Sequence, residues 1–309
     1  MPPRSDLGAP GTGTFTQDGV RLIGRTEPAD TLDDGVYNEL AALAQRCVTG
    51  FSDDRPVSAS LVRSRLTNAL TGAAPVLAVA GNGQEMTGWC AVRRPESGER
   101  RARLWGPVVA PAFRRNGLGT RLLETVVDAA VWPLVTTDVP ADRAGAGAFF
   151  ARSGWDALET VTVLHGDPGD RGFEAITADG VPDADTDAYV AAAAVRHAHH
   201  DPVFARATLR RWQGDARFRP GNLLLDPASG SLLLALSQRN EASSELLLAE
   251  VWSTTAEVRR ALISAAHTSA AAQRLMTVRA VTRQDPADFV ACGMRVTGRC
   301  RTFTLPGGH

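Results

Sequence analysis

The residues best suited to chemistry form a short turn, Arg114-Arg115-Asn116-Gly117-Leu118-Gly119. Two glycines let the main chain come close to a ligand, and a following helix points its unpaired N–H groups and positive dipole end at whatever sits there. Such a turn binds anions, phosphate above all. Arg114 and Arg115 add permanent charge with several donors each. Two arrangements fit the hexapeptide alone, a phosphate cradle and a glycine turn that merely starts a helix. A dinucleotide-binding turn is disfavoured, because it wants a third glycine where Leu122 stands and a strand-helix-strand unit around it.

Other side chains with chemical potential lie scattered. Glu85 and Asp138 are the carboxylates nearest the turn's strand, and are candidate bases. Cys90 is a candidate thiol on a neighbouring strand, though a buried cysteine is usually packing. His197, His199 and His200 form the densest titratable cluster, read as a solvated helix end rather than a metal site. The chain contains no lysine, which removes lysine nucleophiles and Schiff bases. Cys47, Cys90, Cys292 and Cys300 show no Cys-x-x-Cys pairing, so neither zinc nor a disulfide framework is expected, and a cytoplasmic location fits.

These residues need elements to hold them. Leu104 to Val109 is an apolar run closed by Pro111, and Leu122, Leu123, Val126, Val127 and Ala130 recur at helical spacing, so the turn joins a strand to a helix. Strands are predicted at 20–25, 75–80, 86–92, 103–109, 134–139 and 158–164, with helices at 31–48, 58–70 and 144–152. Antiparallel strands followed by strand-helix-strand give a mixed-sheet α/β pattern. Residues 165–172 read as a linker by composition. Beyond them the order repeats, with strands at 173–176, 222–225, 232–236, 245–251 and 275–281 and helices at 187–196, 202–212 and 255–272.

Two ordered motifs carry a family resemblance. The segment Val109-Ala110-Pro111-Ala112-Phe113-Arg114-Arg115-Asn116-Gly117-Leu118-Gly119 resembles the acetyl-CoA signature of GNAT-type N-acetyltransferases. Downstream, Phe150-Ala151-Arg152-Ser153-Gly154-Trp155 resembles the family's aromatic-x-x-x-Gly-aromatic segment, and Phe289 to Met294 echoes it in the second half. The resemblance implies two tandem GNAT-like domains, each a mostly antiparallel sheet flanked by helices, similar in layout to mycothiol synthase. Their expected bounds are a tail at 1–19, an acetyl-CoA-binding domain at 20–166, a linker at 167–172 and a degenerate domain at 173–309. Where the first half has its glycine turn, the second has Trp252 to Glu257, with no glycine and a carboxylate that would repel phosphate.

The resemblance further implies acyl transfer from acetyl-CoA to an amine by direct attack on the thioester. Val108 and Val109 would pair with the pantetheine arm, and the Val109 N–H would face the thioester oxygen. The amides around Arg115, Gly117, Leu118, Gly119 and Thr120 would hold the pyrophosphate, with Arg114, Arg115 and Asn116 assisting. Pro107, lacking an N–H, would mark a bulge that splays this strand from the next. Phe150 stands beside the cofactor where many relatives carry an acidic tyrosine, and the chain's two tyrosines, Tyr37 and Tyr189, lie elsewhere. That departure also admits a non-catalytic acyl-CoA-binding or sensing protein.

The bulk numbers constrain the partners. The chain has 309 residues, 44% of them apolar and 22% charged, with a net charge of -1 and a mean hydropathy of -0.12. This suits two globular domains. No basic face for nucleic acid is implied, no run is apolar enough to span a membrane, and a small-molecule amine is favoured over a lysine-rich protein tail.

Overall fold

The computed structural model describes residues 19–23, 33–47, 57–70, 76–82, 85–93, 101–130, 132, 134–170, 187, 189–191, 202–214, 217–226, 229–240 and 243–305. The first half runs β1 (Val20–Ile23), α1 (Asp34–Cys47), α2 (Ala59–Leu70), β2 (Leu77–Gly81), β3 (Met86–Arg93), β4 (Ala102–Val109), α3 (Leu118–Ala129), β5 (Val135–Pro140), α4 (Ala144–Arg152) and β6 (Asp156–Gly166). The second runs α5 (Pro202–Gln213), β7 (Phe218–Asp226), β8 (Ser231–Asn240), β9 (Ser243–Trp252), α6 (Ala256–Ala272), β10 (Thr277–Thr282), α7 (Ala287–Ala291) and β11 (Arg295–Thr304). The strand expected at 173–176, most of the helix at 187–196 and the His197, His199 and His200 cluster lie outside the described residues. His165 and Gly166, read from composition as linker, belong to β6, because its pairing with β10 extends to Gly166.

Among the described residues, eleven strands form one sheet in the order β1-β2-β3-β4-β5-β11-β6-β10-β9-β8-β7. The last strand of each half has crossed to the other. β11 pairs with β5 from Cys300↔Pro140 to Thr304↔Thr136, while β6 pairs with β10. β6 and β11 also pair with each other, antiparallel, at the centre. The cores follow the strands. Phe303 of β11 is buried among the first half's side chains, and Leu164 of β6 among the second half's. Between them Val161, Val163 and Cys300 form a small apolar seam. Glu159 of β6 adds a polar tie, joined to Arg101 at 3.6 Å and to Arg283 at 2.5 Å.

Helices cover both faces of the first half. Strand alternation sends successive side chains to opposite sides. Trp89 faces α1, its indole N–H donating to the Leu40 carbonyl at 3.2 Å. Gly88 faces α3, where an added Cβ would fall 2.8 Å from Leu122. The α3 stripe of Leu118, Leu122, Leu123 and Val126 is buried against this side of the sheet, as the helical period requires. α4 shares that face, since Phe149 lies against Gly119 of α3.

Candidate functional site

β4 carries the local irregularity that opens the site. Its register with β3 steps from Trp89↔Val108 to Ala91↔Trp105, so β4 holds one more residue than β3 across the interval. The extra residue is a bulge at Gly106-Pro107, where the sequence placed one, and its peptide bond is cis. Gly106 has φ of 107°, and a Cβ there would lie 3.0 Å from the Trp89 carbonyl oxygen. Only glycine suits both the dihedral and the space.

Before the bulge, β4 is parallel to β5 at Ala102↔Val135 and Arg103↔Thr136. Beyond Arg103 that pairing ends although both strands continue, so the sheet forks. Ala110 N donates to the Thr87 carbonyl at 2.9 Å. Gly88↔Val109 is therefore the non-hydrogen-bonded type of antiparallel pair, and both main-chain groups of Val109 point away from β3, toward the fork. The Val109 carbonyl accepts from Arg114 Nε at 3.0 Å and from the Cys47 thiol at 3.4 Å. Its N–H faces the gap. Alternation turns the main chain of Val108 back to β3, so of the two valines Val109 alone presents its amide to the gap.

The turn follows. Arg115 has φ of 66° and Gly117 φ of 76°, so two left-handed residues stand two apart. A non-glycine residue in that region is uncommon and costs about 1–2 kcal/mol. Alternating handedness of this kind gathers successive N–H groups into an anion-binding concavity. Gly117 is the N-cap of α3, and no side chain caps the helix. A Cβ on Gly117 would meet nothing within 4 Å, so the approach to these amides is open. Arg114, Arg115 and Asn116 are exposed beside them. Arg114 is anchored to the strand end through Nε, and Leu118 is core, 6% exposed, with only its main chain available to a ligand. Pro107, Val109 and Phe149 all lie 3.6–3.7 Å from the Cβ position of Gly119, forming a continuous wall from bulge to helix.

Several expected roles need correction. Phe150 is 3% exposed and packed among Phe149, Trp155 and Phe303. The ring beside Gly119 is that of Phe149, and Phe150 does not line the wall from bulge to helix. Glu85 sits in the β2–β3 turn, three residues beyond the Gly88↔Val109 pair, about 10 Å along the strand and away from the bulge. It is exposed, 3.9 Å from Arg46, and does not reach the fork. Cys90 lies opposite the bulge but is fully buried, and burial pushes its thiol far up, so it is no nucleophile. Asp138 is near the fork. Its Oδ1 accepts from Thr302 Oγ1 at 2.6 Å and its Oδ2 from Arg103 at 3.3 Å, making it a fixed anion rather than an unencumbered base.

The corresponding place in the second half is shut. β9 and β10 stay paired over four positions, Thr277↔Glu245 to Ala280↔Leu248. Past them, Gln284 Nε2 donates to the Val251 carbonyl at 3.3 Å, clasping the strand ends. The helix start is capped by its own chain, with Thr255 Oγ1 accepting from Val258 N at 3.3 Å and Ser253 Oγ from Thr255 N at 3.2 Å. Arg259 completes the plug through Asp288 at 2.7 Å and the Ser253 carbonyl at 3.2 Å.

One open fork beside an uncapped, glycine-led helix start agrees with the family comparison. Residues 38–155 match the model of the acetyltransferase (GNAT) family. Over those residues the chain has the GNAT fold. Its whole fold is the tandem form. A GCN5-related N-acetyltransferase from Sphaerobacter thermophilus aligns at 20% identity with a TM-score of 0.71, covering 94% of this chain and 96% of that one. A tandem GNAT protein from the clavulanic acid biosynthesis pathway aligns at 18% identity with a TM-score of 0.62, covering 94% and 99%. No curated protein matches the chain. Among the described residues, no helix is long and apolar enough to cross a membrane.

Cys47, Phe149 and Thr302 are the site residues that sequence reasoning missed. The double-aromatic Phe149-Phe150 step held a signal, since neighbours on a helix point about 100° apart and only one can face the wall. Thr302 gave none, because its strand comes from the other end of the chain.

Proposed function

We propose that this protein is an acyltransferase that uses acetyl-CoA as acyl donor and a small amine as acceptor, with the working site in the first half. The observation that carries this reading is the contrast between the two helix starts: that of α3 is open and bordered by a fork, that of α6 is capped, plugged and zipped. The residues around the open one suit the donor. Amides from Arg115 to Thr120 would take the pyrophosphate, Val109 would bond the pantetheine arm, and Phe149 with Pro107 would wall it in. Acetyl-CoA would supply the activated thioester.

The amine nitrogen attacks the thioester carbonyl, a C–N bond forms and the C–S bond breaks. The Val109 N–H lies at the mouth of the fork, about 10 Å along the strand from the Ala91↔Trp105 level, and suits the arm rather than the oxygen that gains charge. The proton lost by the amine nitrogen goes to water, and the departing thiolate, with a thiol pKa of ~8.5, is protonated by solvent. Lacking a tyrosine acid at Phe150, the enzyme forgoes a positioned proton donor, worth typically about 10²–10⁴ in rate. Turnover is expected to be slow and solvent-assisted.

The test is thiol release from acetyl-CoA against a panel of amines, run beside calorimetric titration of the donor. Acceptor-dependent release with donor binding supports the transferase. Donor binding with no release from any amine supports an acyl-CoA-binding or sensing protein, a reading favoured by the burial of Phe150 and the engaged oxygens of Asp138. Absence of donor binding overturns both.

A further inference from the structure

The fork has two faces, and they are unequal. α3 and α4 occupy one, so the donor's diphosphate end belongs there and its arm fills the gap toward which Val109 turns. An acceptor must then approach from the opposite face. Arg103, Trp105 and Asp138 lie on that face: Trp105 packs edge-on to Trp89 at 4.9 Å on the α1 side, and Asp138 is paired with Arg103. Thr302 lies there too, because its neighbour Phe303 points the other way, onto Phe150 of α4.

Depth along the strands agrees. The last β4–β5 pair is Arg103↔Thr136. Two residues further on each strand stand Trp105 and Asp138, immediately before the Gly106-Pro107 bulge. Asp138 is thus the carboxylate level with the place where the arm's reactive end would lie. Its side chain is 44% exposed, although each oxygen already holds one donor. A carboxylate has about four acceptor positions. Lone pairs remain on the open face, on a group whose rotation is locked from two sides.

We propose that Thr302, on the second half's terminal strand, is a positioning residue that orients Asp138 to accept an N–H of the acceptor amine, so the transfer site draws on both halves. This rests on the transferase reading. The hydrogen bond to Asp138 fixes the amine nitrogen with its lone pair toward the thioester; no proton is transferred to the carboxylate in binding. The exchange of β11 into the first half's sheet, at Thr302↔Asp138, brings this hydroxyl to the carboxylate, while the Thr136 hydroxyl of β5 is turned to the Ala102 carbonyl.

The experiment compares Thr302→Val, Thr302→Ser, Asp138→Ala and the Thr302→Val/Asp138→Ala double variant, in the full chain, by steady-state kinetics with the best amine of the panel and by acetyl-CoA titration. Thr302→Val is expected to lower kcat/KM for the amine about tenfold, the scale of one hydrogen bond to a charged group. Acetyl-CoA affinity should stay within about twofold, and Thr302→Ser should restore the wild-type value. The double variant should be no worse than Asp138→Ala alone, because both act on one interaction. Additive losses, a loss of donor affinity matching the loss in acceptor kinetics, or native kinetics in Thr302→Val would overturn the proposal. A wild-type protein that binds donor but turns over no amine would instead overturn the transferase reading on which it rests, before any variant is compared.

Discussion

The ring of Phe303 stacks on that of Phe150, centroids 5.7 Å apart and planes 27° from parallel. One residue is near the chain's end and the other near its middle, and both are at most 3% exposed. β11 is therefore part of the first half's core and not an appendage. Phe303→Ala should cost about 3–5 kcal/mol, the usual penalty for emptying a buried phenylalanine site, and Phe303→Leu roughly 1.5 kcal/mol or less. Urea denaturation measures both. A loss below about 1 kcal/mol for the alanine variant would mean the strand does not seal this core.

Gly117 separates backbone strain from charge. With φ of 76° and no neighbour within 4 Å of its Cβ position, alanine there should cost about 1–2 kcal/mol in stability without clash. Glutamate pays a similar backbone cost and adds a negative charge beside the amides. Repulsion of roughly 1–3 kcal/mol should weaken acetyl-CoA binding about ten- to a hundredfold relative to the alanine variant. Equal donor affinity in the two variants would remove the phosphate site from this turn.

Cys90 makes a prediction about alkaline stability. Its thiol ordinarily titrates at 9.0, and burial raises it in the folded protein. Below that value both states hold the proton and pH has no effect through this group. Above it the unfolded chain loses the proton while the folded one keeps it, so stability falls as pH rises, by up to about 1.4 kcal/mol per unit. Between roughly pH 9 and 10.5, Tm should fall more steeply in wild type than in Cys90→Ala. Parallel slopes would show that the thiol ionises without penalty.

The plugged second half predicts one donor site per chain. Calorimetry should return a stoichiometry of one for acetyl-CoA. Thr255→Ala, which removes the α6 cap, should cost about 1 kcal/mol in denaturant without changing that stoichiometry. Two equivalent sites would show that the clasp at Gln284 opens.

Glu85→Gln should leave kcat, KM and their pH dependence unchanged within error, since the carboxylate lies beyond the mouth of the fork and, among the described residues, pairs with Arg46. A lost limb in the pH profile would return it to the mechanism.

What the sequence determined by itself was local. The bulge at Pro107, the strand-turn-helix around Gly117, and the lack of such a turn at Trp252 to Glu257 are each written in a few consecutive residues, because dihedral preference and helix capping act over one turn of chain. The repeat of element order was legible for the same reason. The strand 295–304 was not read at all. Arg295, Arg299 and Arg301 interrupt its apolar side, which is covered only once another part of the chain lies beside it.

Tertiary structure decided what depends on residues far apart in sequence. The exchange of β6 and β11 brings Thr302 to Asp138, 164 positions away, and Phe303 to Phe150. It also decided which of two adjacent phenylalanines faces the cleft, that Cys90 is sealed, and that Glu85 is out of reach. Register across a sheet fixes those outcomes, and register is set by pairing partners that a linear pattern does not name.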